Sequence, residues 1–235
     1  MPIFLREGQK VLFKHVPKCA GSSIEALMAA EGFTVLLLSD AGGADVPCPP
    51  QHLHHAALLA MGVASTSFDF EFAVVRHPLE RLISEYFFRG MDARGISFTA
   101  FVNYVLWGAS LNMYFLSNHI RPQVEFLSEK TRIYRYEDSF DPIIDDLQSI
   151  GLIGDGVTVP HKKKRKSQGS VVVSRQAASL INRFYYRDFV RLGYQPLILD
   201  EFPESGVVSY LSTLAVAGGL LMRQKTKEIF YRGKR

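Results

Sequence analysis

Phe13–Met28 reads FKHVPKCAGSSIEALM, and this stretch decides the fold. It opens on the apolar run KVLFKHV (10–16), which has the composition of a buried strand, and closes on an amphipathic helix starting near Ser22. In that helix Ile24, Leu27 and Met28 share one face. The link between strand and helix holds a lysine, a glycine and two serines. Main-chain N–H groups at a helix start point outward without intrahelical partners, and the helix dipole adds partial positive charge there. Strand, PKCAGSS and helix together form an anion cradle: Lys18 brings a full charge, Gly21 allows a close approach to the main chain, and Ser22 or Ser23 caps the helix and donates to an anion. The order is not that of a Walker A loop, G-x-x-x-x-G-K-S/T, because Lys18 precedes Gly21. This argues against an ATP or GTP hydrolase.

Outward from this junction the same alternation continues. FTVLLL (33–38), DFEFAVV (69–75) and TRIYRY (131–136) read as strands, and HLHHAALLAMG (52–62) as a short helix ended by Gly62. In RHPLERLISEYFFR, Pro78 suits a first helical turn, and Leu79, Leu82, Ile83, Tyr86 and Phe87 recur at the spacing of one helical face. Ser84 falls roughly 100° from the centre of that face, off the core. Further helices are expected over 97–108, 139–150 and 174–192. Strands alternating with helices predict an α/β domain with a mainly parallel sheet covered on both faces. Arg76, at the end of its strand, and Ser84, on the next helix, have the placement of a second anion site, since strand carboxyl ends line the ligand crevice of such sheets.

Composition bounds the remainder. The chain has 235 residues, 47% hydrophobic and 21% charged, with a net charge of +4, which fits one globular domain with an anionic partner and excludes a disordered chain. Cys19 and Cys48 are the only cysteines and are expected as free thiols in a reducing compartment. The opening MPIFLREGQK is too short and polar for a leader or anchor. Ser205–Met222 carries no charge and leads into the basic RQKTKEIFYRGKR. Its hydroxyls gather on one side, which favours a helix packed on the domain or a partner over a membrane-surface helix, and that over a span. The domain is set at 1–202 and the helical, basic tail at 203–235. PHKKKRKSQ (160–168) is the densest basic run, a solvated loop or an anion-facing one.

Two motifs in this order carry a resemblance. HVPKCAGSS (15–23) resembles the HIPKTAGTS-type loop that binds the 5′-phosphosulfate in the carbohydrate-type sulfotransferases. VVRHPLERLISEY (74–86) resembles their Arg-Asp/Asn-Pro-x-x-Arg-x-x-Ser motif for the 3′-phosphate, and RYEDSF (135–140) and DFVRLGY (188–194) also match. Cys19 stands where threonine is usual, and His77 where Asp or Asn is. The likeness covers roughly residues 10–200. It implies a P-loop-like three-layer sandwich with a C-terminal helical extension, and 3′-phosphoadenosine 5′-phosphosulfate as sulfuryl donor. It places Lys18, Cys19, Ala20, Gly21, Ser22 and Ser23 on the phosphosulfate, with Lys18 also at the leaving oxygens, and Arg76 and Ser84 on the 3′-phosphate. Among His52, His54 and His55 it assigns the general base to His52, with His54 as the alternative, and no metal is expected.

The expected acceptor is a hydroxyl of a carbohydrate or small glycosylated molecule. Loops 39–51, 90–125 and 161–170 would shape its pocket. Nucleic acid is not expected and a cytoplasmic setting is, with peripheral membrane contact through the tail as the alternative to its packing on the domain or a partner. The competing readings are a nucleotide-dependent phosphotransferase using the same cradle and a non-catalytic anion-, nucleic-acid- or membrane-binding module.

Overall fold

The structure, a computed structural model, describes residues 1–38, 47–63, 68–159, 170–204 and 207–232, without the side chains of 207–210 and 227–232. The basic run 160–168 and most of the 39–51 loop therefore lie outside the described residues. The chain divides into two compact units, Met1–His77 with Leu116–Arg165, and Pro78–Phe115 with Lys166–Arg235.

The first unit holds a five-stranded sheet. Its strands are β1 (Ile3–Arg6), β2 (Gln9–Phe13), β3 (Thr34–Leu36), β4 (Phe70–Val75) and β5 (Arg132–Arg135), in the order β3-β1-β2-β4-β5. Strand β1 was not foreseen. It pairs antiparallel with β2, Arg6 opposite Gln9, through a two-residue turn in which Glu7 and Gly8 have φ of 46° and 87°. Two positive φ values in succession give the turn whose twist matches paired strands. β1 is also antiparallel to β3, whereas β2, β4 and β5 pair in parallel. Four strands thus share one direction and β1 alone is reversed, so the sheet is mixed in its pairing but mainly parallel in its sense.

β4 lies inside the sheet and is buried from Glu71 to Val75; Phe72–Val75 is the apolar run that such a central strand requires, and Glu71 is buried against Lys14 and Thr131. β3 is shorter than expected and largely exposed at an edge. The core between them is aromatic: Phe13 lies 5.0 Å from Phe72 and 6.4 Å from Phe4, ring centre to ring centre. Helices α1 (Gly21–Ala30), α2 (His55–Ala60) and α5 (Asp141–Ser149) belong to this unit. α1 buries Ile24, Leu27 and Met28, the face its spacing predicts.

The second unit is helical: α3 (Pro78–Phe88), α4 (Phe98–Leu111), α6 (Arg175–Phe184), α7 (Tyr186–Leu192) and α8 (Val207–Arg232). Ser97 and Ser174 cap α4 and α6 by accepting from the N–H groups of Ala100 and Ala177, each at 3.2 Å. The expected helix over 174–192 breaks at Tyr185, where α6 ends and α7 begins. α3 buries more than its apolar stripe, for Arg81 and Glu85 are 2% and 1% exposed. Arg89 bonds Glu85 at 2.5 Å, and Arg81, Asp188 and Glu85 all act electrostatically on the buried Tyr185 phenol. Buried charges persist only in such company, which gives Asp188 of DFVRLGY a structural task. α8 lies along α4 and turns Thr213, Ala217 and Leu220 inward. No helix among the described residues is long and apolar enough to cross a membrane.

Candidate active site

β2 and β4 are parallel neighbours, so the loop after β2 and the residue after β4 leave the sheet at the same edge. Within the first unit this geometry brings together the first sequence motif and Arg76 of the second, whose residues from Pro78 onward belong to the other unit. After β2 the chain turns through Lys18 and Ala20, both left-handed with φ of 70° and 62°. Such residues cost of order 1 kcal/mol each without glycine and cluster where a backbone is held for function. α1 then begins at Gly21 with Ala20 as its N-cap, and no side chain caps it. Ser22 and Ser23 therefore lie inside the first turn, a correction to their expected capping role. Ser22 is half-buried, Ser23 is buried and Lys18 is half-buried.

Gly21 is required for a further reason. The space in front of its α-carbon is filled by His15, and a Cβ there would sit 2.0 Å from the His15 Nε2. On its other side the His15 Nδ1 lies 2.7 Å from Glu25 Oε1, and Phe13 stacks on the ring at 5.6 Å. Burial pushes the His15 pKa down, and Glu25 partly opposes that.

His52 comes to this cradle from a 3-10 turn, Pro50–His52, rather than from the helix expected over 52–62. Its ring meets His15 edge-on at 5.2 Å and His119 edge-on at 4.7 Å. Its Nδ1 is buried without a hydrogen-bond partner among the described residues, while the ring also bonds the Ser117 main chain. Burial, aided by the neighbouring histidines, lowers its pKa to about 2, so the imidazole is neutral at physiological pH. Asn118 fixes the turn by donating to the His52 carbonyl at 2.8 Å. The other two histidines are engaged elsewhere. His54 caps α2, its Nδ1 accepting from Ala57 N–H at 3.2 Å, and His55 Nδ1 lies 3.1 Å from the buried Lys14 Nζ. Among the described residues no group of three or more His, Cys, Asp or Glu side chains is arranged to hold a metal.

Arg76 is held on three sides. Gln123, fully buried, accepts from the Arg76 N–H at 2.9 Å and donates to its carbonyl at 2.8 Å. The Arg76 guanidinium carbon lies 4.5 Å from the centre of the Tyr136 ring. The following N–H, of His77, donates to Glu137 at 2.8 Å. The Gln123 Oε1 also accepts from the Cys19 thiol at 3.5 Å, which ties the cradle loop to the end of β4. Cys19 and Cys48 are both buried free thiols. Ser84 is half-buried on α3 in the second unit.

Sequence reading missed His15, Glu25, His119, Gln123 and Tyr136. Two of them had a signal, His15 as the first residue of HVPKCAGSS and Tyr136 as part of RYEDSF.

A family model described as Sulfotransferase family matches residues 1–195, and the chain belongs to that family. No curated protein and no solved structure matches it. The match spans the cradle, Arg76 and DFVRLGY, and it ends before α8. Membership supports sulfuryl transfer as the general class of chemistry for this chain.

Proposed function

We propose that this chain transfers a sulfuryl group from 3′-phosphoadenosine 5′-phosphosulfate to a hydroxyl of a carbohydrate or small glycosylated acceptor. The observation that carries this reading is the junction of the Lys18–Ser23 loop and Arg76 at the ends of two adjacent parallel strands. The residues present fit such a donor. Two cations, Lys18 and Arg76, and a helix start with left-handed residues before it suit two anionic groups. Arg76 offers its fork, aligned by Tyr136, to the 3′-phosphate. Lys18, with the main chain and hydroxyls of 19–23, holds the phosphosulfate.

The donor supplies the sulfuryl group; the chain supplies position, charge and a base. The bond from sulfur to the phosphate oxygen breaks as the bond to the acceptor oxygen forms. Lys18 stabilises the charge that the leaving phosphate gains, and His52 takes the acceptor's proton. A pKa near 2 makes His52 a weak base on its own. Anionic groups in the cradle raise it, because nearby negative charge favours the imidazolium.

We read the fold as P-loop-like, with residues 1–202 as the catalytic domain and α8 as its extension. We further propose that the protein works in a reducing, cytoplasmic setting, consistent with its two free thiols, and that α8 touches anionic membrane surfaces. Leu211, Val216 and Met222 are 59, 39 and 74% exposed on α8, ahead of Arg223 and Lys225.

The deciding experiment is calorimetric titration of adenosine 3′,5′-bisphosphate, the product, into wild type and Arg76→Ala. Binding on the order of −8 kcal/mol, a micromolar Kd, that is largely lost in the variant supports the reading. Preference for ATP with magnesium, or for nucleic acid regardless of Arg76, overturns it.

A further inference from the structure

We infer that Gln123 is a positioning residue that couples the two phosphate-binding elements, so that occupation of one favours occupation of the other. The inference rests on the donor site proposed above. Gln123 stands on the 3-10 turn Gln123–Phe126, 47 residues beyond Arg76 and 104 beyond Cys19. Its amide orientation is fixed by its partners, because the Arg76 N–H needs an acceptor and the Arg76 carbonyl needs a donor. The side chain thus imitates one more strand residue beside the end of β4.

Its oxygen has a second task, accepting the Cys19 thiol from between the two left-handed residues of the cradle. One buried amide therefore contacts the main chain that aims the Arg76 fork and the loop that would receive the phosphosulfate. A shift of that loop on binding is transmitted to Arg76 through a rigid group with no water in between, since Gln123 and Cys19 are both fully buried. The coupling follows from a shared partner, and by linkage it works equally in both directions.

The test is titration of adenosine 3′,5′-bisphosphate, adenosine 5′-monophosphate and adenosine 3′-monophosphate into wild type, Gln123→Leu and Gln123→Glu. The glutamate variant keeps shape and burial but, ionised, cannot donate to the Arg76 carbonyl. The expected result is a selective loss: bisphosphate affinity falls about tenfold, within the usual range of coupling, while each monophosphate loses less than about threefold. An equal loss for all three probes assigns Gln123 a merely structural role, and no loss in either variant removes it from the site; both overturn the inference. A wild type that binds none of the probes fails differently, because it refutes the donor reading before Gln123 is put to the question.

Discussion

The imidazole of His15 stands over the α-carbon of Gly21, and a methyl group there would come within 2.0 Å of Nε2. The ring cannot retreat easily, held as it is by Glu25, Phe13 and His52. Gly21→Ala should therefore cost about 1–3 kcal/mol of stability, the usual range for overpacking a core. Chemical denaturation checks this. His15→Ala should remove most of the added penalty in the double variant, and strictly additive losses would place the strain elsewhere.

The same histidines make the protein sensitive to acid. His52 titrates near its ordinary 6.5 when unfolded but at about 2 when folded. The unfolded chain therefore binds the proton first. The stabilisation is complete above about pH 6.5 and is lost as pH falls toward 2, at roughly 1.4 kcal/mol per pH unit. His15, also lowered, adds in the same direction. Urea midpoints at pH 7.5 and 5.0 should fall clearly in wild type and less in His52→Gln. Equal midpoints at the two pH values would mean that these rings are open to water.

Tyr136 makes a sharper prediction about the proposed 3′-phosphate site. Its ring lies under the Arg76 guanidinium and needs no hydroxyl to do so. Tyr136→Phe should bind adenosine 3′,5′-bisphosphate as wild type does. Tyr136→Leu should lose about 0.5–2 kcal/mol of binding, the range of cation–π contacts. Calorimetry distinguishes this from a hydroxyl contact to the nucleotide, in which the phenylalanine variant would be the weak one.

Much of this architecture was legible because its signals are local. The buried run of β4 and the face of α1 follow from residue spacing alone. β1 escaped because its turn, Glu7-Gly8, sits in a segment that reads as merely polar. Arg81 and Glu85 escaped because a helical period ranks charged residues as solvent-facing, whereas burial here depends on partners as distant as Asp188 and Tyr185. In the site, Lys18 and Arg76 were visible as strand-end cations. Gln123 was not, since a single glutamine beyond Arg76 carries no periodic or motif signal, and only folding makes it adjacent.

The exposed side of α8 can be tested without the enzyme assay. Leu211→Asp with Met222→Asp leaves the inward stripe of Thr213, Ala217 and Leu220 intact. Wild type should float with vesicles containing phosphatidylglycerol, and the double variant should stay in solution with its helix content unchanged. Flotation that ignores these substitutions, or that is as strong on neutral phosphatidylcholine, would rule out an anionic membrane face on α8.

The reversed strand β1 has a consequence for how the molecule is made. The strand order β3-β1-β2-β4-β5 has the first two strands as a hairpin, with each later strand added at an edge already present. β3 closes one side, and β4 and then β5 extend the other, so the sheet can grow in the order in which the chain is synthesised. A nascent chain halted after His77 would already contain the Lys18 loop and Arg76, which follow neighbouring strands, with the amide that ties that loop to Arg76 still untranslated. The scaffold of the site is laid down early, and its alignment is completed only when the segment carrying Gln123 arrives.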